Sequence, residues 1–356
     1  PAGVGAFSDL LRFVPDEAAY RERVAITDYA AIREHYGLEA LGGQEGWLAM
    51  QFALSGDDLG LPVLAGVLGA EDTEQLYEFL EQWELGFGFG FDDFDRALTA
   101  GRLPPRYLYA VNGRFDSDQI EETLAACSEC LPHEVEKHAG QRYLSWGEGQ
   151  RLRLRGSLPA VDTLGRGGVF VFTDEYVLRS NWTEDLTGMI DASQGRNSLE
   201  GREGVADVAE VADELGLFTL VLTAVTQNSA QAAELLEGWA GSDRGDRTID
   251  AWVPDEGEVL LLPYSAWGAG SGTDDGGSFT AVILAHSSEG DAAENVGRLE
   301  ERLATGSSVW RELAWSEMFT KVAVSSDGVV LTAKLYGAGS VEFLFVDGMD
   351  PLLLHE

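Results

Sequence analysis

The chain has 356 residues, 45% hydrophobic and 24% charged, with 61 Asp and Glu against 24 Lys and Arg, a formal net charge of −37. Such a surface repels nucleic acid and anionic lipid headgroups and excludes both as partners. Its 9 Trp, 10 Tyr and 16 Phe exclude wholesale disorder, so the charge imbalance belongs to a folded chain.

The only lysines are Lys137, Lys321 and Lys334. An acidic, lysine-poor surface fits two settings: a high-salt medium that screens self-repulsion, or export from a source that favours arginine. Calcium or magnesium would gather loosely on such a surface without a specific site. No apolar run is long enough to span a membrane. The chain starts at Pro1, and the expectation is that a leader once preceded it, with a lipid anchor among the candidates.

In chain order, residues 5–14 read as a short amphipathic helix that Pro15 ends. Residues 24–29 (VAITDY) read as a strand, and 30–36 as a helix stopped by Gly37. Residues 45–85 read as mostly helical, with Trp47, Met50, Leu76, Phe79, Leu80 and Trp83 as apolar positions. Residues 107–115 form a predicted strand. Asp116 then caps a helix, with Gln119 three residues on, and Ile120, Leu124 and Cys127 share one helix face. Residues 142–146 return as a strand, and 168–180 form a hairpin turned at Thr-Asp-Glu. Helices at 183–193 and 203–215 turn Leu186, Ile190, Val205, Val208 and Leu215 inward.

The second half repeats this grammar. Residues 218–225 form a predicted strand, 230–240 a helix and 258–264 a strand. The Gly/Ser/Asp-rich stretch 269–277 reads as a flexible surface loop. Residues 279–286 form a strand, followed by a helix with Ala292, Val296, Leu299 and Leu303 on one face. Residues 321–324 and 329–335 pair around Ser-Asp-Gly, and 341–346 close the sheet. The expected fold is α+β: two related halves, mostly antiparallel sheet with helices packed on one face. The expected divisions are a largely helical region at 1–105, a first α+β unit at 106–216 and a second at 217–356.

Several strings in this order carry a resemblance: FVPDEAAYRERVAITDYAAIREHYG, DFDRALTAGRLPP, NGRFDSDQIEETL, FVFTDEYVLRS, MIDASQGRNSLEG, SFTAVILAHSSEGDAAENVGRLEERL and WSEMF. Together they resemble uncharacterised bacterial exported proteins, often lipid-anchored, that carry a domain of unknown function. The resemblance implies an extracytoplasmic location. It brings no activity and no catalytic residue.

The densest candidate chemistry is Cys127-x2-Cys130-x2-His133-x4-His138. These are four ligands of types zinc prefers, though not at a common finger spacing. A Cys127–Cys130 disulfide is the first reading, because residues i and i+3 at a helix end lie within disulfide reach. Inert thiols, a zinc site at Cys127, Cys130, His133 and His138, and a redox pair are the alternatives. Glu129, Glu134 and Glu136 disfavour a reactive thiolate. Gly86 to Phe91 alternates Gly and Phe without a phosphate-loop spacing, and reads as an extended aromatic segment. Carboxylates cluster at Asp57-Asp58, Asp92-Asp93 with Asp95, Asp116 with Asp118, and Asp274-Asp275. None has the EF-hand pattern, and the glycine-flanked Asp274-Asp275 is the best of them for calcium. His286 ends a strand and reads as structural. Asn181-Trp182-Thr183 matches a glycosylation sequon at a frequency near chance. No nucleophile elbow or H-E-x-x-H is present. The expected function is a non-catalytic extracytoplasmic protein that binds an unknown protein or small-molecule ligand, or serves in a surface assembly. No cofactor is assigned beyond the zinc and calcium candidates. The alternatives are a metal-binding protein and a hydrolase with distant paired carboxylates.

Overall fold

The computed structural model describes residues 5, 7–38, 41–56, 64–65, 80–81, 83–101, 107–126, 133–147, 167–226, 259–308, 313–337 and 351–356. They form two units that divide between Arg202 and Glu203. The chain is α+β, and each unit is built on antiparallel strands.

The first unit contains helices α1 (Ser8–Leu11), α2 (Ala18–Arg21), α3 (Tyr29–Tyr36), α4 (Gly43–Gly56), α5 (Ser117–Ala126) and α6 (Thr183–Ser193). Its strands are β1 (Val24–Asp28), β2 (Phe94–Ala100), β3 (Leu108–Gly113), β4 (Glu134–His138), β5 (Gln141–Ser145), β6 (Val169–Phe172) and β7 (Tyr176–Ser180). They lie in the order β1-β2-β3-β7-β6-β5-β4, and every neighbouring pair is antiparallel. The predicted helix ends are where capping chemistry places them. The Asp28 carboxylate accepts the Ala31 N–H at 2.8 Å, and Gly37 leaves α3 at φ +66°. The Asp116 carboxylate accepts the Gln119 N–H at 2.9 Å, and Ile120 and Leu124 are buried on α5.

The alternating Gly and Phe of 86–91 feed an aromatic core. Phe87, Phe89 and Phe91 are all buried. Phe87 stacks on Phe89 at 5.6 Å and meets Phe170 at 5.9 Å; Phe89 meets Phe115 at 5.3 Å; Phe91 meets Tyr29 at 5.6 Å and Trp47 at 5.3 Å. Buried Arg33 lies 5.2 Å above the Phe91 ring and donates to the carbonyls of Phe91 (3.2 Å) and Phe94 (2.6 Å). A guanidinium is a weakly hydrated donor fork and tolerates this setting. Strands β2 and β4 were not expected from the sequence.

The second unit contains helices α7 (Val205–Glu214), α8 (Glu289–Thr305) and α9 (Trp315–Met318). Its main strands are β8 (Thr219–Thr223), β9 (Ala266–Asp274) and β10 (Gly277–Ala285). A small separate pair follows, β11 (Ser307–Ser308) and β12 (Leu313–Ala314), and then β13 (Lys321–Asp327) and β14 (Val330–Tyr336). The order is β13-β14-β10-β9-β8. Helix α8 covers one face, where Leu299 and Leu303 meet Trp267, Ala269, Val282, Leu284, Leu331, Ala333 and Leu335. Its predicted face is observed, with Ala292, Leu299 and Leu303 buried and Val296 packed against the same core. Helix α7 lies on the other face, where side chains alternate to the opposite side of each strand.

Two expectations are corrected here. Residues 269–277 are not a surface loop; most of them belong to β9, buried from Ala266 to Gly272. Its glycines are there for close packing. A Cβ on Gly268 would stand 2.7 Å from Val208 Cγ1, and one on Gly270 would stand 2.0 Å from the Thr219 carbonyl oxygen. Residues 258–264 are not a full strand. Among the described residues only Leu261 makes a bridge, to His355, because polar side chains of α8 hold this segment. Arg298 donates to the Leu260 carbonyl at 2.7 Å, Arg302 to Val259 at 3.0 Å, and the Asn295 amide grips both backbone groups of Leu262. The expected helix 230–240 and strand 341–346, and the positions Leu76 and Phe79, lie outside the described residues.

Candidate binding groove

Helix α7 forms because Val205, Val208, Ala209 and Ala212 repeat at one face and are buried. Its first turn is closed by Asp207, whose carboxylate accepts the Gly204 N–H at 3.2 Å. The bare glycine face of β9 lets this helix sit close to the sheet. Its acidic flank then faces the β13–β14 hairpin across an open groove of about 500 Å³. Asp207, Glu210, Val211, Glu214 and Leu215 form one wall; Ala323, Ser325, Asp327, Val330, Thr332 and Lys334 form the floor and the other side. The register explains the floor. Ala323 pairs with Lys334, Ser325 with Thr332 and Asp327 with Val330, so these six side chains share one face.

Four carboxylates line the groove and one cation enters it. That cation is already neutralised. Lys334 Nζ contacts Asp274 Oδ2 at 2.8 Å and lies 4.4 Å from the Phe279 ring centre. The Tyr336 hydroxyl donates to the same oxygen at 2.9 Å, and the Gly276 N–H to the other at 2.8 Å. The Lys334 hydrogen bond leads in holding the Asp274 carboxyl below its ordinary value. Glu210, Glu214 and Asp327 form no ion pair among the described residues. The groove therefore carries uncompensated negative charge.

The residues singled out from the sequence lie elsewhere. Cys127 and Cys130 are outside the described residues, and the disulfide reading lies there with them. His133 precedes β4 and its ring lies 5.0 Å from Trp146. His138 ends β4, with Nε2 3.0 Å from Asp191 Oδ1, an oxygen that also accepts from Arg196 at 2.8 Å. At about 3.3 Å per residue the strand holds the two histidines roughly 16 Å apart. The four-ligand expectation at Cys127, Cys130, His133 and His138 needs the two cysteines, and with them it lies outside the described residues. Among the described residues no group of three or more His, Cys, Asp or Glu is placed to hold a metal ion.

At the calcium candidate Asp274-Asp275, the Lys334 ammonium contacts Asp274 Oδ2. Asp92 and Asp93 serve the loop around them: they accept the N–H groups of Gly43 (3.3 Å) and Gly90 (2.8 Å). Burial, with Asp92 and Asp93 nearby, pushes the Glu84 carboxyl up.

His286 is structural. Its Nδ1–H donates to the Val329 carbonyl at 3.3 Å, and its Nε2 accepts from Asn295 Nδ2 at 2.7 Å. Burial lowers its pKa. The groove itself escaped notice in the sequence. Its residues come from 207–215 and 323–334, and each set alone reads as a solvated face.

No family model matches the chain, and no curated protein matches it. Crystal structures of TP0453 are distantly similar. Form III has a TM-score of 0.40 at 8% identity over 95% of this chain and 97% of that one. Form IV has 0.38 at 9% identity over 92% and 93%. Among the described residues no helix is long and apolar enough to cross a membrane.

Proposed function

We propose that this is a non-catalytic, extracytoplasmic binding protein whose second unit captures a cationic ligand or partner in the α7–β14 groove. The groove's carboxylates carry the reading: Glu210 and Glu214 on the helix and Asp327 on the hairpin face one space, while Lys334 is engaged by Asp274. Its volume falls in the range of ligand sites, about 300–1,000 Å³. The extracytoplasmic part rests on the sequence resemblance and on a charge that repels nucleic acid. Protease accessibility on intact cells of the source tests it; protection until lysis would count against it.

The binding part is tested by calorimetry with hexalysine, and with hexaglutamate as control. The expected result is saturable hexalysine binding that weakens with salt and weakens further in the Glu210→Gln/Glu214→Gln double variant. Two exposed pairs at up to about 1 kcal/mol each set that loss at up to about thirtyfold. Diffuse attraction to a −37 surface would hardly register two missing charges, so an unchanged affinity would sink the reading.

A further inference from the structure

Among the described residues β13 is the outermost strand of the second unit, and no backbone hydrogen bond runs outward from it. Six of its seven residues are exposed, and only Val324 is half-buried. The hairpin register fixes which backbone groups face out. Asp327 and Val330 close a two-residue turn led by Gly328 at φ +53°. Such a turn makes Asp327–Val330 a hydrogen-bonded pair, and bonded pairs then alternate along the ladder. Lys321, Ala323, Ser325 and Asp327 thus spend their N–H and C=O groups on β14. Val322, Val324 and Ser326 point theirs away from the sheet.

Natural edge strands are usually blunted by charge, proline or a bulge. The outer strand of the first unit follows that rule, with Glu134, Glu136, Lys137 and His138 filling four of its five positions. The stretch Val322–Ser326 has no charge and no proline, and its pairing with β14 is regular throughout. Its two faces differ. The α8 side presents Val322 and Val324, the latter packed on the core. The other side borders the acidic groove through Ala323, Ser325 and Asp327.

We propose that β13 accepts an extended basic segment of a partner protein as an added antiparallel strand. Its alternate lysine or arginine side chains reach back into the α7–β14 groove, and its intervening apolar side chains extend the Val322 face. The inference rests on the groove being the binding site, and it names the partner's chemistry and geometry. Strand addition draws affinity from main-chain hydrogen bonds and specificity from alternate side chains. In an antiparallel pair the residues directly opposite Val322, Val324 and Ser326 place their side chains on the same sheet face, away from the groove. Those opposing residues must be the apolar ones.

The test uses the whole protein and a nine-residue peptide alternating lysine and valine. Two further peptides are N-methylated, one at the valines and one at the lysines. Calorimetry is expected to show that valine N-methylation weakens binding about tenfold or more relative to lysine N-methylation. Glu210→Gln/Glu214→Gln weakens the unmodified peptide. If both methylated peptides bind equally well, or the order is reversed, while the charge variant still weakens them, antiparallel strand addition is overturned and the groove reading stands. If no peptide binds, or the charge variant changes nothing, both are overturned.

Discussion

Replacing Asn295 with alanine removes the centre of a fully satisfied polar cluster. Asn295 is completely buried. Its Oδ1 accepts the Leu262 N–H at 2.7 Å, and its Nδ2 donates to the Leu262 carbonyl at 3.0 Å and to His286 Nε2 at 2.7 Å. Three bonds at about 1 kcal/mol net each give roughly 3 kcal/mol, and buried groups left unpaired add about 1–3 kcal/mol more. The expected loss is about 4–6 kcal/mol, a large share of the roughly 5–15 kcal/mol typical of a whole domain. The assay is urea denaturation followed by tryptophan emission, since Trp267 and Trp315 report on the second unit's core. The two units need not unfold together, so the variant's earlier transition is expected in the second-unit signal alone. A loss below about 1 kcal/mol would refute the claim that this amide holds segment 259–262 on α8. Asn295→Asp separates packing from polarity: it keeps the shape and the acceptor for the Leu262 N–H but removes the amide that donates to the Leu262 carbonyl and to His286 Nε2.

Two further outcomes follow from the same unit. Burial depresses the His286 pKa from its ordinary 6.5, so the unfolded chain binds the proton first, and this contribution is full above about pH 6.5 and lost as pH falls toward the folded value. Urea midpoints between pH 8 and 5 are expected to fall on the acid side and to flatten there in His286→Gln; parallel curves for the two proteins would refute the assignment. Two glycine replacements should act in opposite directions: Gly270→Ala meets the Thr219 carbonyl at 2.0 Å, whereas Gly297→Ala on α8 meets nothing within 4 Å. The first is expected to destabilise by at least about 1–3 kcal/mol and the second to stabilise by about 0.5–1 kcal/mol, both read from thermal midpoints; a stable Gly270→Ala would show that β8 and β9 do not pack as described.

Much of the local structure was legible because its causes are local. A cap at Asp116, a stop at Gly37, the one-sided face of α8 and the hairpins at 168–180 and 321–335 each need only a few neighbouring residues to specify them. Strand β9 was misread for a definite reason. Glycine and serine signal turns when considered alone, and here they mark a strand whose missing side chains are replaced by Val208, Leu217 and Leu220 from elsewhere in the chain. Strand β4 was missed because four of its five residues are polar, as suits an edge. The groove was illegible for the same reason as β9. Its two sides lie more than a hundred positions apart in the chain, and no periodicity connects Glu214 to Asp327.

The glycine face of β9 also has a consequence for how this sequence can drift. Gly268, Gly270 and Gly272 leave one side of that strand as bare peptide. Every change there adds volume, and the strand itself has nothing to trim in exchange. Accommodation must come from outside: a smaller residue at Val208 or Leu220 for Gly268, or at Leu217 for Gly272. These positions should therefore change in pairs across related chains. At Gly270 the obstacle is a carbonyl oxygen that every residue at 219 would carry, so no partner substitution can make room. Drift should spare that glycine while its two neighbours along the face are traded against α7 and the start of β8.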